Sequence, residues 1–116
     1  MKTIRIDRKK WLRGRIDDQV NYLWCSKRQA GCCLGHAIHQ TAKCSWKDLD
    51  QMAIPTMYYN KPSFLTEFGP DGAYIMNNFA ELATYINDAN EPSEPEREWL
   101  LTELFAKNNI KLEFYN

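Results

Sequence analysis

The side chains best suited to bind metal lie close together in the sequence. All four cysteines and both histidines fall within twenty positions, namely Cys25, Cys32, Cys33, His36, His39 and Cys44. If the chain around them is helical, Cys32, His36 and His39 lie on one face, at positions i, i+4 and i+7. Thiolate and imidazole are the ligands that zinc prefers, and Cys44 or Cys25 can supply a fourth. The set Cys32, His36, His39 and Cys44 therefore predicts a zinc-stabilised module.

The same cluster has two other interpretations. No Cys-x-x-Cys pair occurs, and free cysteines are commonly small buried residues, so Cys33 and Cys44 can instead fill the core. A cysteine at the start of a helix also has its thiolate stabilised, with His36 or His39 as a base. Neighbours on one helix, however, seldom give the in-line geometry and separate oxyanion donors that nucleophilic catalysis needs. The sequence therefore predicts no catalytic residue and no enzyme.

A basic segment near the N-terminus has the composition of a phosphate-binding surface. It contains Arg8, Lys9, Lys10, Arg13 and Arg15. Trp11 lies among them, where its indole can stack on a base. The alternative is a solvated surface from which Trp11 and Leu12 point into the core. A pI of about 6.7 argues against a broad nucleic-acid footprint, so nucleic acid is predicted as an alternative partner only.

An aromatic loop is the third candidate. Pro55, Pro62 and Pro70 predict a long irregular segment there. Its candidate partner-binding residues are Tyr58, Tyr59, Phe64 and Phe68. Tyrosine and other large apolar side chains are enriched at the centres of protein interfaces, which favours protein binding. The alternative is that these side chains cover the core.

Composition predicts one domain over residues 1–116. With 44% hydrophobic and 13% aromatic residues, the chain can form a core without disulfides or metal. The net charge of zero hides a split: residues 1–47 carry eleven basic and three acidic side chains, and residues 48–116 carry four and twelve. This asymmetry indicates two opposed binding faces, or two halves that pack together. We expect no membrane span and no signal peptide, and hence reduced thiols in a cytoplasm.

Periodicity predicts an α+β fold. Strands with period two are expected at Thr3–Asp7 and Ile110–Tyr115, paired in a sheet of two or three strands. Three or four helices are expected against it, including one over 32–42, one from Ile75 to Ile86, and one that begins at the capping box Ser93–Glu96. The predicted core contains Ile4, Ile6, Trp11, Leu12, Cys33, Ile75, Phe79, Leu82, Leu101, Leu104, Phe105, Leu112 and Phe114.

Several fragments together resemble a known family. They are Trp11-Leu-Arg-Gly14, Cys32-Cys-Leu-Gly35, Ile86-Asn-Asp88, and a Glu-rich helix with Arg97-Glu98 that leads into Phe105-Ala and a final Ile-x-Leu-x-Phe strand. The chain is similar in these to short uncharacterised proteins of tailed phages and prophages, with residues 45–70 outside the resemblance. The resemblance implies expression in the cytoplasm of a bacterial host and carries no catalytic residue.

The functional prediction joins the resemblance to the residues. We expect a small phage accessory protein, a non-enzymatic module that binds a host protein, of the host-takeover or defence-inhibitor type. Small phage proteins without a catalytic signature often act in this way, which is an argument by analogy. The alternatives are nucleic-acid binding by the basic segment and zinc binding by the Cys/His cluster. No other cofactor is predicted, and the oligomeric state is left open.

Overall fold

The structure is a computed structural model that describes residues 2–14, 21–58 and 60–116. Its strands are β1 (Lys2–Asp7), β2 (Thr66–Phe68), β3 (Tyr74–Met76) and β4 (Ile110–Tyr115). Its α-helices are α1 (Cys33–Ala42), α2 (Asn78–Asp88) and α3 (Glu94–Lys107), and short 3-10 helices lie at Arg8–Lys10, Trp46–Leu49 and Pro55–Met57. The predicted α+β class is confirmed.

The two ends of the chain form one sheet, as predicted. β1 and β4 pair in parallel from Lys2↔Ile110 to Asp7↔Tyr115. Even-numbered residues of both strands face the core, where Ile4, Ile6 and Leu112 are buried. α1 packs on β1 and α3 packs on β4. Alternation with period two is therefore a dependable signal here, because one face of the sheet is covered by helices and the other is in water.

The predicted helix from Ile75 to Ile86 begins three residues later than expected. Asn77 caps α2 by accepting a hydrogen bond from the Ala80 amide, so Ile75 belongs to β3 instead. The buried face of α2 includes Phe79, Ala80, Ala83 and Asn87. This face is rotated away from Leu82. Placing Ile75 and Leu82 in the core was therefore wrong: their exposed fractions are 41% and 44%.

A buried asparagine joins three parts of the chain. The Oδ1 atom of Asn87 accepts hydrogen bonds from Trp11 Nε1 at 2.8 Å and from the Cys33 amide at 3.1 Å. Its Nδ2 atom donates to the Leu12 carbonyl at 2.9 Å. Arg97, which is also buried, donates to the Asn87 carbonyl at 2.9 Å. Asn87 therefore ties α2 to the chain after β1, to the start of α1 and to α3.

A close backbone approach explains the glycine in the Cys-Cys-Leu-Gly fragment. A Cβ atom on Gly35 would lie 2.6 Å from the Leu23 carbonyl carbon and closer still to its oxygen. No side chain fits in that space, because real Cβ contacts are longer. Gly35 therefore lets α1 lie directly on the backbone at Leu23, as expected of a glycine inside a helix.

The oppositely charged halves of the chain meet at the surface. Arg8 forms a bidentate pair with Glu98, with both N···O distances at 2.7 Å. Arg13 pairs with Glu94 at 2.6 Å. Both glutamates belong to α3, and both arginines lie just after β1. Part of the charge split therefore reflects packing of the two halves, which was one of the two interpretations of the sequence.

Candidate functional site

The histidines of the Cys/His cluster make backbone hydrogen bonds. His36 Nε2 lies 2.8 Å from the Lys10 carbonyl oxygen, and His39 Nδ1 lies 2.7 Å from the Cys44 carbonyl oxygen. Within residues 2–14, 21–58 and 60–116, no three His, Cys, Asp or Glu side chains are grouped to hold a metal ion. The arrangement thus gives no support to a zinc site at Cys32, His36, His39 and Cys44. Zinc binding stays a prediction that elemental analysis of the purified protein tests.

The cysteines next to α1 lie in an apolar environment. Burial raises the pKa of the Cys32 thiol to about 12 and raises the pKa of Cys33 well above its usual range. A thiol in this state is a poor nucleophile, since the thiolate is the reactive form. Cys33 packs in the main core cluster, as the structural interpretation of these cysteines predicted.

An aromatic stack occupies the surface beside these cysteines. The Trp46 ring stacks on Trp24 at a centroid distance of 4.1 Å and on His39 at 3.9 Å. The buried His36 ring meets Trp46 edge-on at 5.1 Å. Burial lowers the pKa of His36 to about 4, so this imidazole is neutral at pH 7. The histidines therefore pack as aromatic side chains around Trp46.

Much of the basic segment is committed to contacts within the protein. Trp11 is buried, donates to Asn87 and packs 4.8 Å from the Phe114 ring, so its indole cannot stack on a base. Arg13 lies over the Trp11 ring at 4.6 Å. Arg8 and Arg13 pair with glutamates of α3, whereas Lys9 and Lys10 are exposed and Arg15 lies outside the described residues. The predicted nucleic-acid surface is thereby reduced to its two lysines.

The structure separates the four candidate residues of the aromatic loop. Tyr58 is buried in the main core, so its prediction as a partner contact was wrong. Phe64 is partly buried against the same core, because the loop folds back over it. Tyr59 lies outside the described residues. Phe68 is 67% exposed, and this residue alone keeps its predicted place at the surface.

Phe68 belongs to a hairpin that the sequence was expected to leave as a loop. β2 and β3 are antiparallel, with Phe68 opposite Tyr74 and Glu67 opposite Ile75. The rings of Phe68 and Tyr74 contact each other at a centroid distance of 4.5 Å, and Lys61 Nζ lies 5.9 Å from the Tyr74 centroid. Tyr74 is 44% exposed. We call Phe68 and Tyr74 the hairpin patch.

A tight turn holds the hairpin patch in place. The Gly69 amide donates to the Ala73 carbonyl at 2.7 Å, and the Gly72 amide donates to the Gly69 carbonyl at 3.0 Å. Gly72 has a φ of +85°, a conformation that glycine adopts without strain. Asp71 Oδ1 accepts from the Ala73 amide. The aromatic pair therefore stands on a defined turn, and the Gly-Pro-Asp-Gly sequence is the signal that could have predicted it.

An open acidic cleft begins at the base of the hairpin. Its volume is about 580 Å³, and it is lined by Met76, Glu81, Thr84, Tyr85, Asp88, Ala89, Asn90 and Glu91. Met76 ends β3, so the cleft continues from the hairpin along α2. Three carboxylates line it, whereas its lining includes no basic side chain. The cleft therefore favours positively charged groups next to an apolar patch.

The comparisons with known proteins give no further guide. No protein-family model, no curated protein and no solved structure matches this chain. Among the helices that the structure describes, none is long and apolar enough to cross a membrane.

Proposed function

We propose that the protein is a non-enzymatic accessory module, of phage origin, that binds a host protein through the hairpin patch. The observation that carries the proposal is Phe68, which is 67% exposed and yet stacked on Tyr74. Two adjacent aromatic side chains outside the core leave apolar area in water, and a partner pocket would bury that area.

The turn supports this proposal on energetic grounds. Binding orders side chains and loops, and a surface held in its bound shape avoids part of that cost. The hydrogen bonds of Gly69 and Gly72 fix the turn that carries Phe68 and Tyr74. The hairpin patch is therefore a preorganised anchor of the kind on which binding energy concentrates.

The acidic cleft indicates the chemistry of the partner. Glu81, Asp88 and Glu91 line it, and Met76 joins it to the hairpin. Complementary charge at the edge of an interface speeds association and selects partners. We infer a partner surface with an apolar pocket for Phe68 and with lysines or arginines beside that pocket.

The test is capture of the partner from host lysate with tagged protein. The double variant Phe68→Ser, Tyr74→Ser removes the hairpin patch. The matched control is Trp99→Ser, because Trp99 is 61% exposed on α3 and lines neither the hairpin nor the cleft. We expect one stoichiometric protein on the native chain and on the control, and its loss from the double variant with an unchanged thermal midpoint.

Nuclease treatment of half the lysate separates the alternatives. A captured protein that survives nuclease and still binds the double variant would contradict the role of the hairpin patch. Proteins that disappear on nuclease treatment would instead favour nucleic-acid binding, which must then weaken steeply with salt and depend on Lys9 and Lys10.

A further inference from the structure

The terminal sheet has two edges that differ in their surroundings. On the β1 side, the Gln40 side chain acts as a substitute strand: its Oε1 accepts from the Arg5 amide at 2.9 Å, and its Nε2 donates to the Arg5 carbonyl at 2.6 Å. α1, which carries Gln40, packs over this edge. The other edge of the sheet belongs to β4, which pairs with β1 only.

The Gln40 contact fixes which backbone groups of β4 point outward. Because the Arg5 amide and carbonyl face Gln40, the even-numbered residues of β1 make the bonds to β4. In a parallel ladder those bonds reach the odd-numbered residues of β4. Ile110, Leu112 and Phe114 therefore direct their N–H and C=O groups to the outer edge. Across the described ranges, no hydrogen bond to these groups is found beyond the strand pairing.

The sequence of β4 is complementary to itself. Written antiparallel to a second copy and centred on Leu112, the run Ile110–Phe114 places Lys111 opposite Glu113, Leu112 opposite Leu112, and Ile110 opposite Phe114. Lys111 and Glu113 lie on the exposed face, with side-chain exposures of 61% and 40%. Opposite charges directly across an antiparallel pair stabilise it, as do facing apolar side chains.

We propose that β4 is the interface through which two copies of this chain associate, as a continuous sheet in the order β1-β4-β4-β1. The register suits the hydrogen bonds as well as the charges. Leu112 faces its own copy and Ile110 faces Phe114, and all three carry outward N–H and C=O groups. An antiparallel pair exchanges both bonds between such residues. A two-fold axis through Leu112 relates the copies, which is the commonest symmetry of homo-oligomers.

The first measurement is the mass of the untagged protein by light scattering over a concentration series. We expect the mass to rise from one 13.7 kDa chain to two. A single-chain mass at every concentration would overturn the proposal, and would mean that a short edge strand carrying a lysine is protected well enough to stay unpaired.

Charge reversal then locates the interface. Lys111→Glu and Glu113→Lys each place like charges opposite each other twice in the symmetric pair, so we expect each variant to self-associate roughly tenfold more weakly than the native chain. Mixing the two variants should restore association. The first variant carries two acidic side chains at these positions and the second carries two basic ones, so every acidic side chain in the mixed pair faces a basic one.

The mixture also excludes an explanation within one chain. Lys111 and Glu113 of the same strand lie 3.8 Å apart, and each variant loses that contact whether mixed or alone. Recovery in the mixture can come only from pairing between chains. Unchanged self-association of the single variants, or a mixture no tighter than its components, would place any dimer interface elsewhere. Neither result would bear on the hairpin patch.

Discussion

Asn87 is expected to be the most sensitive polar residue of the core. Its side chain has no exposed surface and makes hydrogen bonds through both of its polar atoms. Asn87→Ala removes the acceptor of Trp11 Nε1 and of the Cys33 amide, and the donor to the Leu12 carbonyl. Three buried polar groups in separate parts of the chain lose a partner at once.

The cost follows from those three groups. A buried donor or acceptor left unpaired costs about 1–3 kcal/mol, so the variant is expected to lose about 4 kcal/mol of unfolding free energy after local relaxation. The total stability of a domain is about 5–15 kcal/mol, so this loss is a large part of it. Asp88, which also accepts from Asn87, keeps its hydrogen bond from Asn21 and adds little.

Urea unfolding followed by circular dichroism measures the change. Asn87→Leu is the informative second variant, because it fills the space but leaves the same three groups unpaired, and we expect a loss of similar size. The control Asn116→Ala, at an exposed position, should stay within about 0.5 kcal/mol of the native protein. If Asn87→Leu were as stable as the native chain, the side chain would be filling space and the network would not be the source of stability.

Three further predictions concern α1 and its surroundings. Gly35→Ala should cost about 3 kcal/mol in urea unfolding, because its Cβ overlaps the Leu23 backbone, whereas Gly72→Ala, with no atom within 4 Å, should cost only about 1 kcal/mol from its positive φ; equal costs would argue against the close approach. His36, with its pKa lowered to about 4 by burial, takes up protons more readily when unfolded, so stability should fall by about 3 kcal/mol as pH drops from 6.5 to 4. That loss should disappear in His36→Gln, and its persistence there would assign it to other groups. Cys32 and Cys33 should resist iodoacetamide until the protein unfolds, and rapid labelling of either in native protein, located by mass spectrometry, would contradict their burial.

The sequence predicted the elements whose signal is local. The alternation at both termini predicted the paired strands, and the Ser93 capping box predicted the start of α3. The hairpin was missed because β2 and β3 have three residues each, too few for a clear period. Asn87 looked like the start of a turn, since its burial depends on contacts with distant residues. Pairing of Arg8 and Arg13 with α3 likewise depends on the tertiary fold.

The candidate site was predicted only in part. Proline spacing and aromatic content drew attention to the segment that contains Phe68, but not to Tyr74, its ring partner. Tyr58, in the same segment, belongs to the core instead. Composition cannot distinguish an aromatic residue that covers a core from one that stands outside it, because both lie among prolines and small polar residues. The distinction needs the direction in which each side chain points.

The measurement that tests the central proposal most directly is the affinity of the captured host protein for single variants of the hairpin patch, by titration calorimetry. Phe68→Ser should weaken binding about 30-fold or more, as expected for an aromatic anchor in a partner pocket, while Trp99→Ser stays within about threefold of the native affinity. Native affinity in Phe68→Ser, with a correctly folded variant, would contradict the proposal that this exposed aromatic pair is the binding site.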